Sequence, residues 1–358
     1  MYGTEITGFA ASGLTSEEAV LSKRPYIALS GKYRGQSVVT INTGKIDESG
    51  NPVYTERPIH TNATLRKDEW VNLDSAIIEA ARQRLVIVDD LRSAGLVYNV
   101  GGLGAMTAEW ESASEMTDAE ATMDGESESE KDRQEFALNG VPIPVIQKRF
   151  KIGERVLLAS RNRGAALDVT MGQEAARAVA RTSERMVFYG LPIKSDSYSI
   201  PGLTNFAGRA TASLTAWSNP ATTTETIFNE ILQMVQKMEV EERHFGPFNI
   251  YIPGSCAFQF RRDFKAFGDK TLMQRVLDED SINAVRVADM LADGDVVMVQ
   301  MESQVLDLAV GSDVTTIQWA SGSGWTNHFQ VFAAWAPRLK QDFDGHCGIM
   351  HGTYTPPT

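Results

Sequence analysis

The 358-residue chain has two cysteines, Cys256 and Cys347, and five histidines. Two thiols cannot build a disulfide framework, and both fit a reducing compartment. No uncharged apolar run approaches the ~18 residues that a membrane helix needs. The first residues, MYGTEITGFAASGLTSEE, have neither a basic start nor an apolar centre, so no signal peptide is expected. Positive charge is also short: 34 Lys and Arg against 46 Asp and Glu leave a net charge of −12. That balance argues against a dedicated DNA- or RNA-binding surface. Hydrophobic residues at 42% and charged residues at 22% exclude a disordered or collagen-like chain. The length suggests about two domains.

Catalytic and cofactor motifs are missing as well. Gly101-Gly102-Leu103-Gly104 is not followed by Lys-Ser/Thr, so it reads as a hinge rather than a phosphate loop. Gly254-Ser255-Cys256-Ala257-Phe258 lacks the glycine pattern of a nucleophile elbow. His346, Cys347 and His351 lie close in sequence, but no second ligand pair completes a metal site. Cys256 and His244 could form a thiol–imidazole pair, though nothing in the sequence brings them together; a buried Cys256 is the default. Arg261 and Arg262 sit beside Asp263 and read as cover for a helix face. The expectation is no catalytic residue, no cofactor and no metal.

Acidic charge is concentrated instead. Residues 109–135 hold eleven acids against Lys131 and Arg133, a net −9, which leaves −3 for the rest of the chain. No EF-hand loop fits, because starts at Asp118 or Asp124 put the required glycine out of place. Loose divalent binding by Asp124, Glu126 and Glu128 stays open. A basic stretch follows: Lys148, Arg149, Lys151, Arg155, Arg161 and Arg163, opposed by Glu154 alone. The pair of segments reads either as two solvated surfaces or as complementary contacts between copies of the chain.

The patterning predicts mixed α and β structure without a βαβ rhythm, hence α+β. Residues 1–65 read as extended, with a turn at Asp47–Pro52. One amphipathic helix is expected over 66–92, capped by Asp68 or Asn72. Residues 105–152 read as a long hairpin, with strands at 107–114 and 141–152 and an acidic tip. Pro142 and Pro144 confine the return strand to an edge. The strongest helix spans 167–190, capped by Asp168 or Thr170 and stopped by Gly190. A second helix covers 222–243. Strands are expected at 248–252, 285–287, 296–301, 305–310 and 315–319, with one or two more between 328 and 350.

That order of elements resembles the Hong Kong 97-type shell fold of tailed-phage major capsid proteins and of the related bacterial encapsulins. The residues that carry the likeness are the Asp68-Glu69-Trp70 helix leading to Gly101–Gly104, the long loop returning through Pro144–Ile152, and the helix with Glu174–Arg177 and Ser183–Gly190 followed by Pro201-Gly202-Leu203. The strand Asn249–Pro253 and the turn Asp293-Gly294-Asp295 add to it. The resemblance implies an N-terminal arm (1–65), a helix and hinge (66–104), an E-loop (105–152), a peripheral domain with a spine helix at 167–190 (153–221 and 321–358) and an axial domain (222–320). It also implies pentamers and hexamers of one chain forming an icosahedral shell around double-stranded DNA, in a virion made in the bacterial host cytoplasm. Expected partners are other copies, separate scaffolding, portal and decoration proteins, and non-specific contact with packaged DNA, with no membrane. Trp110, Glu126, Glu128, Glu130, Lys148, Arg149, Lys151, Arg155, Arg161 and Arg163 are the candidate intersubunit contacts. The tip offers Lys131, but the C-terminal region offers only Asn327, so no Lys–Asn crosslink is expected. The first rival is an encapsulin-like compartment, whose cargo-binding face is formed by the first helix; the arm should cover that face here. The second is a soluble enzyme using Cys256 or the His346–His351 cluster.

Overall fold

The computed structural model describes residues 25–28, 32–33, 36–46, 52–58, 65, 67–82, 85–114, 134–163, 169–193, 199–265, 270–321 and 325–357. At the N-terminal end, strands β1 (Pro25–Ile27), β2 (Ser37–Ile46) and β3 (Pro52–Pro58) form an antiparallel sheet. The turn expected at 47–52 falls between β2 and β3, with 47–51 outside the described residues. Tyr26 and Val38 are buried in the main core, and Tyr26 Oη lies 2.9 Å from Thr40 Oγ1. Strand β1 rests against helix α1 (Lys67–Arg82).

A second helix, α2 (Ile87–Ser93), follows α1 where the sequence pattern predicts one continuous helix. The break has a cause in a distant residue. Glu184 Oε1 accepts from the backbone N–H groups of Val86 at 3.1 Å and Ile87 at 2.8 Å. A side-chain oxygen accepting from those free donors starts a new helix. Asp68 and Asn72 lie inside α1 rather than at its cap.

Strand β4 (Val97–Asn99) leads into a hairpin of β5 (Thr107–Ala113) and β6 (Phe136–Pro142). The return strand is in two parts, not one. Pro142 ends β6, and after Ile143-Pro144 the chain resumes as β7 (Val145–Gly153), which belongs to a different sheet. Next come α3 (Glu154–Arg163) and the longest helix, α4 (Thr170–Tyr189). Its N-cap is Val169, without a side-chain cap bond, and Asp168 lies outside the described residues. The C-terminal half holds a two-stranded pair, β8 (Leu191–Pro192) and β9 (Ser199–Ile200), then β10 (Ala210–Ser213). After it come α5 (Thr224–Val240), β11 (Phe248–Ile252), a 3₁₀ turn at Gly254–Cys256, α6 (Ala257–Phe260) and α7 (Leu272–Leu277). The remaining strands are β12 (Ile282–Val287), β13 (Asp295–Gln300), β14 (Leu306–Ala320), β15 (Thr326–Leu339) and β16 (Ile349–Thr353).

Two larger sheets divide these elements. One has the order β4-β14-β15-β7, and the other β10-β16-β13-β11-β12. Helix α4 packs its alanine-rich stripe, Ala175, Ala176, Val179 and Ala180, into the core beneath the first sheet. Small side chains there let α1 approach closely: a Cβ on Gly172 would lie 2.9 Å from Leu73 Cδ1. The second sheet has a separate core with α5 on it, built from Ile227, Ile231, Met234, Ile250, Ile252 and Met298.

The sheets cross the ranges expected from sequence. Strand β14, read from sequence as part of a 222–320 unit, pairs along its length with β15. Strand β16, read as part of 321–358, lies between β10 and β13. The boundary at 320/321 therefore falls in the turn of one hairpin. The strands expected separately at 305–310 and 315–319 are a single strand, irregular between Val310 and Thr315. Pro337 sits within β15 because β7 pairs only with Thr326–Ala334, so no neighbour on that side requires its missing N–H.

Glu184 is 1% exposed, and its Oε2 has no hydrogen-bond partner. Burial pushes its carboxyl up to about 8, against the backbone bonds that favour the charged form. A carboxyl raised in the folded state stabilises fully below its unfolded value and loses that contribution as pH rises through the folded one. The wild-type thermal midpoint should therefore fall between about pH 4.5 and pH 8. Glu184→Gln should flatten that slope in a series of melts across this range. A second expectation concerns the turn after α4. A Cβ on Gly202 would lie 2.2 Å from the Gly190 backbone nitrogen, with Gly190 itself at φ 74°. Gly202→Ala should cost about 1–3 kcal/mol or more in denaturant unfolding.

Candidate functional site

The β5–β6 hairpin leaves the body of the molecule with only its base held. Ala108 and Val141 are buried there, whereas Phe136 is 64% and Leu138 68% exposed. Trp110 is half-buried on β5 opposite Asn139 and packs against the main core. It also lines a pocket with Asn139, Pro142, Phe206, Pro337 and Leu339.

The group that fixes this base is Arg338, on β15. Its guanidinium donates twice to Asp307, at 2.6 Å each, and both residues are about 5% exposed or less. Lys340 reaches the same carboxylate at 2.7 Å. The outer face of the guanidinium covers Tyr98 at 3.8 Å and approaches Trp110 at 5.9 Å. It also donates to the Glu109 backbone carbonyl at 3.3 Å. Arg338 thus joins three sheet strands to the first strand of the hairpin. Sequence reasoning missed it. Asp307 and Arg338 are separated by 31 positions, and only the β14–β15 register makes them opposite.

The predicted basic residues occupy the open edge of the first sheet. Strand β7 pairs with β15 on one side only. Arg149 and Lys151 point to its outer face, opposite Gln330 and His328. Arg149 bonds Gln330 Oε1 at 2.9 Å and lies 5.7 Å from the Trp319 ring. Trp319 in turn stacks on His328 at 5.6 Å. Lys148 points the other way along the strand but is exposed at the edge. Arg155 is exposed on α3, and Arg161 and Arg163 belong to the same helix. Among the described residues no carboxylate lies within ion-pair distance of Lys148, Arg149, Lys151 or Arg155. Lysine and arginine on a bare edge strand also block unwanted strand pairing. Glu126, Glu128 and Glu130 lie outside the described residues.

The reactive side chains considered from the sequence are not brought together. Cys256 is buried, its thiol pushed up by burial, and lies 3.0 Å from Tyr354 Oη. His244 instead bonds Gln300 at 2.6 Å. His351 bonds Asp295 at 3.0 Å, while His346 faces Glu242 at 3.7 Å. Burial pushes the Cys347 thiol up to about 12. Among the described residues no three His, Cys, Asp or Glu side chains form a group that could hold a metal, and no helix is long and apolar enough to cross a membrane.

A detached hairpin, a long helix under a four-stranded sheet and a separate mixed sheet together define the Hong Kong 97-like shell fold. The capsid of Myoviridae Phage XM1 matches with a TM-score of 0.58 and 10% identity, over 75% of this chain and 92% of that one. The virus-like particle from Pyrococcus furiosus matches with a TM-score of 0.54 and 19% identity, over 78% and 98%. In sequence, the chain is 26% identical over 288 residues to the type 1 encapsulin shell protein EncA of Myxococcus xanthus (strain DK1622), covering 78% of this chain and 92% of EncA. Residues 60–352 match a family of unknown function (DUF6260), and the chain belongs to that family.

Removing one partner of a buried ion pair strands the other, at about 3–5 kcal/mol. Asp307→Ala, which strands Arg338, should cost that much in urea unfolding, and Arg338→Ala, which leaves Lys340 on Asp307, should cost less. Asp307→Ala/Arg338→Ala should cost clearly less than the sum of the two single variants.

Proposed function

We propose that this chain is a shell subunit: the major capsid protein of a tailed bacteriophage, assembling as pentamers and hexamers into an icosahedral shell around double-stranded DNA. The observation that carries the reading is the hairpin. Two strands alone are marginal in water, and this pair holds Phe136 and Leu138 in solvent. A neighbouring copy supplies the missing surface, and repetition of that contact around a closed shell makes weak individual contacts sufficient. No catalytic role is assigned to the chain. Scaffolding, portal and decoration proteins would be separate partners.

The acidic segment at 115–133 meets the basic edge of a neighbour in this reading. It carries eight acids and two bases, against Lys148, Arg149, Lys151 and Arg155, with Arg161 and Arg163 further along. Exposed pairs contribute about 0–1 kcal/mol each, so they set register more than strength. Trp110 and Arg338 hold the hairpin at the angle needed to reach out.

The choice of capsid over compartment rests on the N-terminal sheet. Tyr26 and Val38 are buried in the same core as Trp70 and Leu73 of α1. Strand β1 resting against α1 supports an arm that covers the first helix, the surface that an encapsulin-like shell would offer to cargo. The compartment remains a second reading, favoured by the match to EncA.

Electron microscopy of the chain expressed alone should reveal shells, tubes or capsomer rings, with matching large species on a sizing column. A monomer that stays so with crowding agents, divalent ions and a co-expressed scaffolding protein would overturn the shell reading. Nuclease-protected DNA in particles from infected or induced cells supports the capsid, and a co-purifying protein cargo with no DNA supports the compartment. Charge reversal at Glu126, Glu128 and Glu130 should raise the concentration needed for assembly by about tenfold or more. Normal assembly of that variant would remove the tip-to-edge contact.

A further inference from the structure

Among the described residues, no element packs on the outward side of helix α4 around Arg181 and Arg185. Arg177, Arg181 and Arg185 recur at four-residue intervals on the side away from its buried stripe. At 1.5 Å rise per residue, neighbouring guanidiniums start about 6 Å apart along one line. Arg181 and Arg185 are exposed, and neither has an ion-pair partner among the described residues. Arg177 meets Glu174 at 2.5 Å. The helix has one other acid, Glu184, and that carboxyl is turned inward.

Helix stability does not account for this ridge. Like charges four apart oppose helix formation. Basic residues favour a helix only within its last turn, and the last turn of α4 contains none. Other helices of the chain follow the opposite rule. On α5, Lys237 is followed four residues later by Glu241 at 3.6 Å, and Arg275, which begins in α7, by Glu279 at 2.8 Å. The net charge of −12 does not cancel the ridge either, since −9 of it lies in residues 109–135.

We infer that the Arg177–Arg181–Arg185 ridge is a contact for the sugar-phosphate backbone of duplex DNA. A straight row of guanidiniums matches a linear polyanion, and arginine suits phosphate by its planar, multiply donating head. The contact reads no sequence, because backbone contacts carry none. The inference builds on the capsid reading by naming the surface that meets the packaged molecule.

The test uses unassembled full-length subunits, so that it stands apart from particle formation. A labelled DNA duplex is titrated with subunits across a salt series and followed by fluorescence anisotropy. Wild-type binding should weaken with salt, and R177Q/R181Q/R185Q should reduce the log–log salt slope by about 2.7, that is about 0.9 for each of three contacts. R177K/R181K/R185K should keep most of the slope. Circular dichroism and the thermal midpoint check that both variants fold. Absence of wild-type binding at low salt overturns the inference, as does an unchanged slope in the glutamine variant. Binding of a synthetic 115–133 peptide at the ridge, with no binding of DNA, also overturns it and assigns the ridge to a neighbour's acidic segment. Subunits that bind DNA through the ridge but form no particles in the microscope, alone or with a co-expressed scaffolding protein, would leave the inference standing and remove the shell reading.

Discussion

The close seat of α4 between α1 and the four-stranded sheet is the constraint on which the other elements depend. Gly172, Ala175, Ala176 and Ala180 keep its inner surface thin, and both neighbours approach. Once seated, the helix organises residues beyond its own layer. Glu184 starts α2 from the side. Tyr189 donates to Asp295 of β13 at 2.7 Å and accepts from the Ala292 N–H at 2.7 Å. Gly190 and Gly202 then close the turn that carries the chain to the second sheet. One helix therefore sets the relation between two cores that are otherwise separate.

Charge has two uses in this molecule. Inside, Arg338–Asp307 and Arg92–Asp313 hold the hairpin base and the irregular part of β14. Such pairs add little net stability over apolar packing, yet they fix which groups face each other. Along the sequence the remaining charges are sorted by sign into an acidic segment, a basic sheet edge and an arginine ridge. Sorting of that kind discourages local pairing within one chain and leaves the attraction for other molecules.

Much of the fold was legible because its signals are local. The 3.6-residue period of α4, the short buried run of β11 and the prolines around residue 143 each act over a few positions. The order of those elements was enough to reach the shell fold. The losses are all long-range. Nothing near Leu85–Ile87 marks a helix break, because the capping oxygen comes from Glu184. The sheet partners of β14 and β16 were not legible, since pairing partners are not encoded by strand period. The basic half of the candidate surface could be read directly, as a run of charges on β7 and α3. Its anchor could not, because Arg338 and Asp307 become neighbours only through a register.

Strand β7 is at once the continuation of the hairpin and the edge of the sheet over α4. Nine consecutive positions, Val145 to Gly153, are in register with β15. A pull on the hairpin along this strand would load those ladder bonds in shear, so that they share the force rather than open one at a time. The strand is thereby a mechanical tether: tension applied at the far end of the hairpin is delivered to the whole sheet, and through it to α4, without passing through any single side chain.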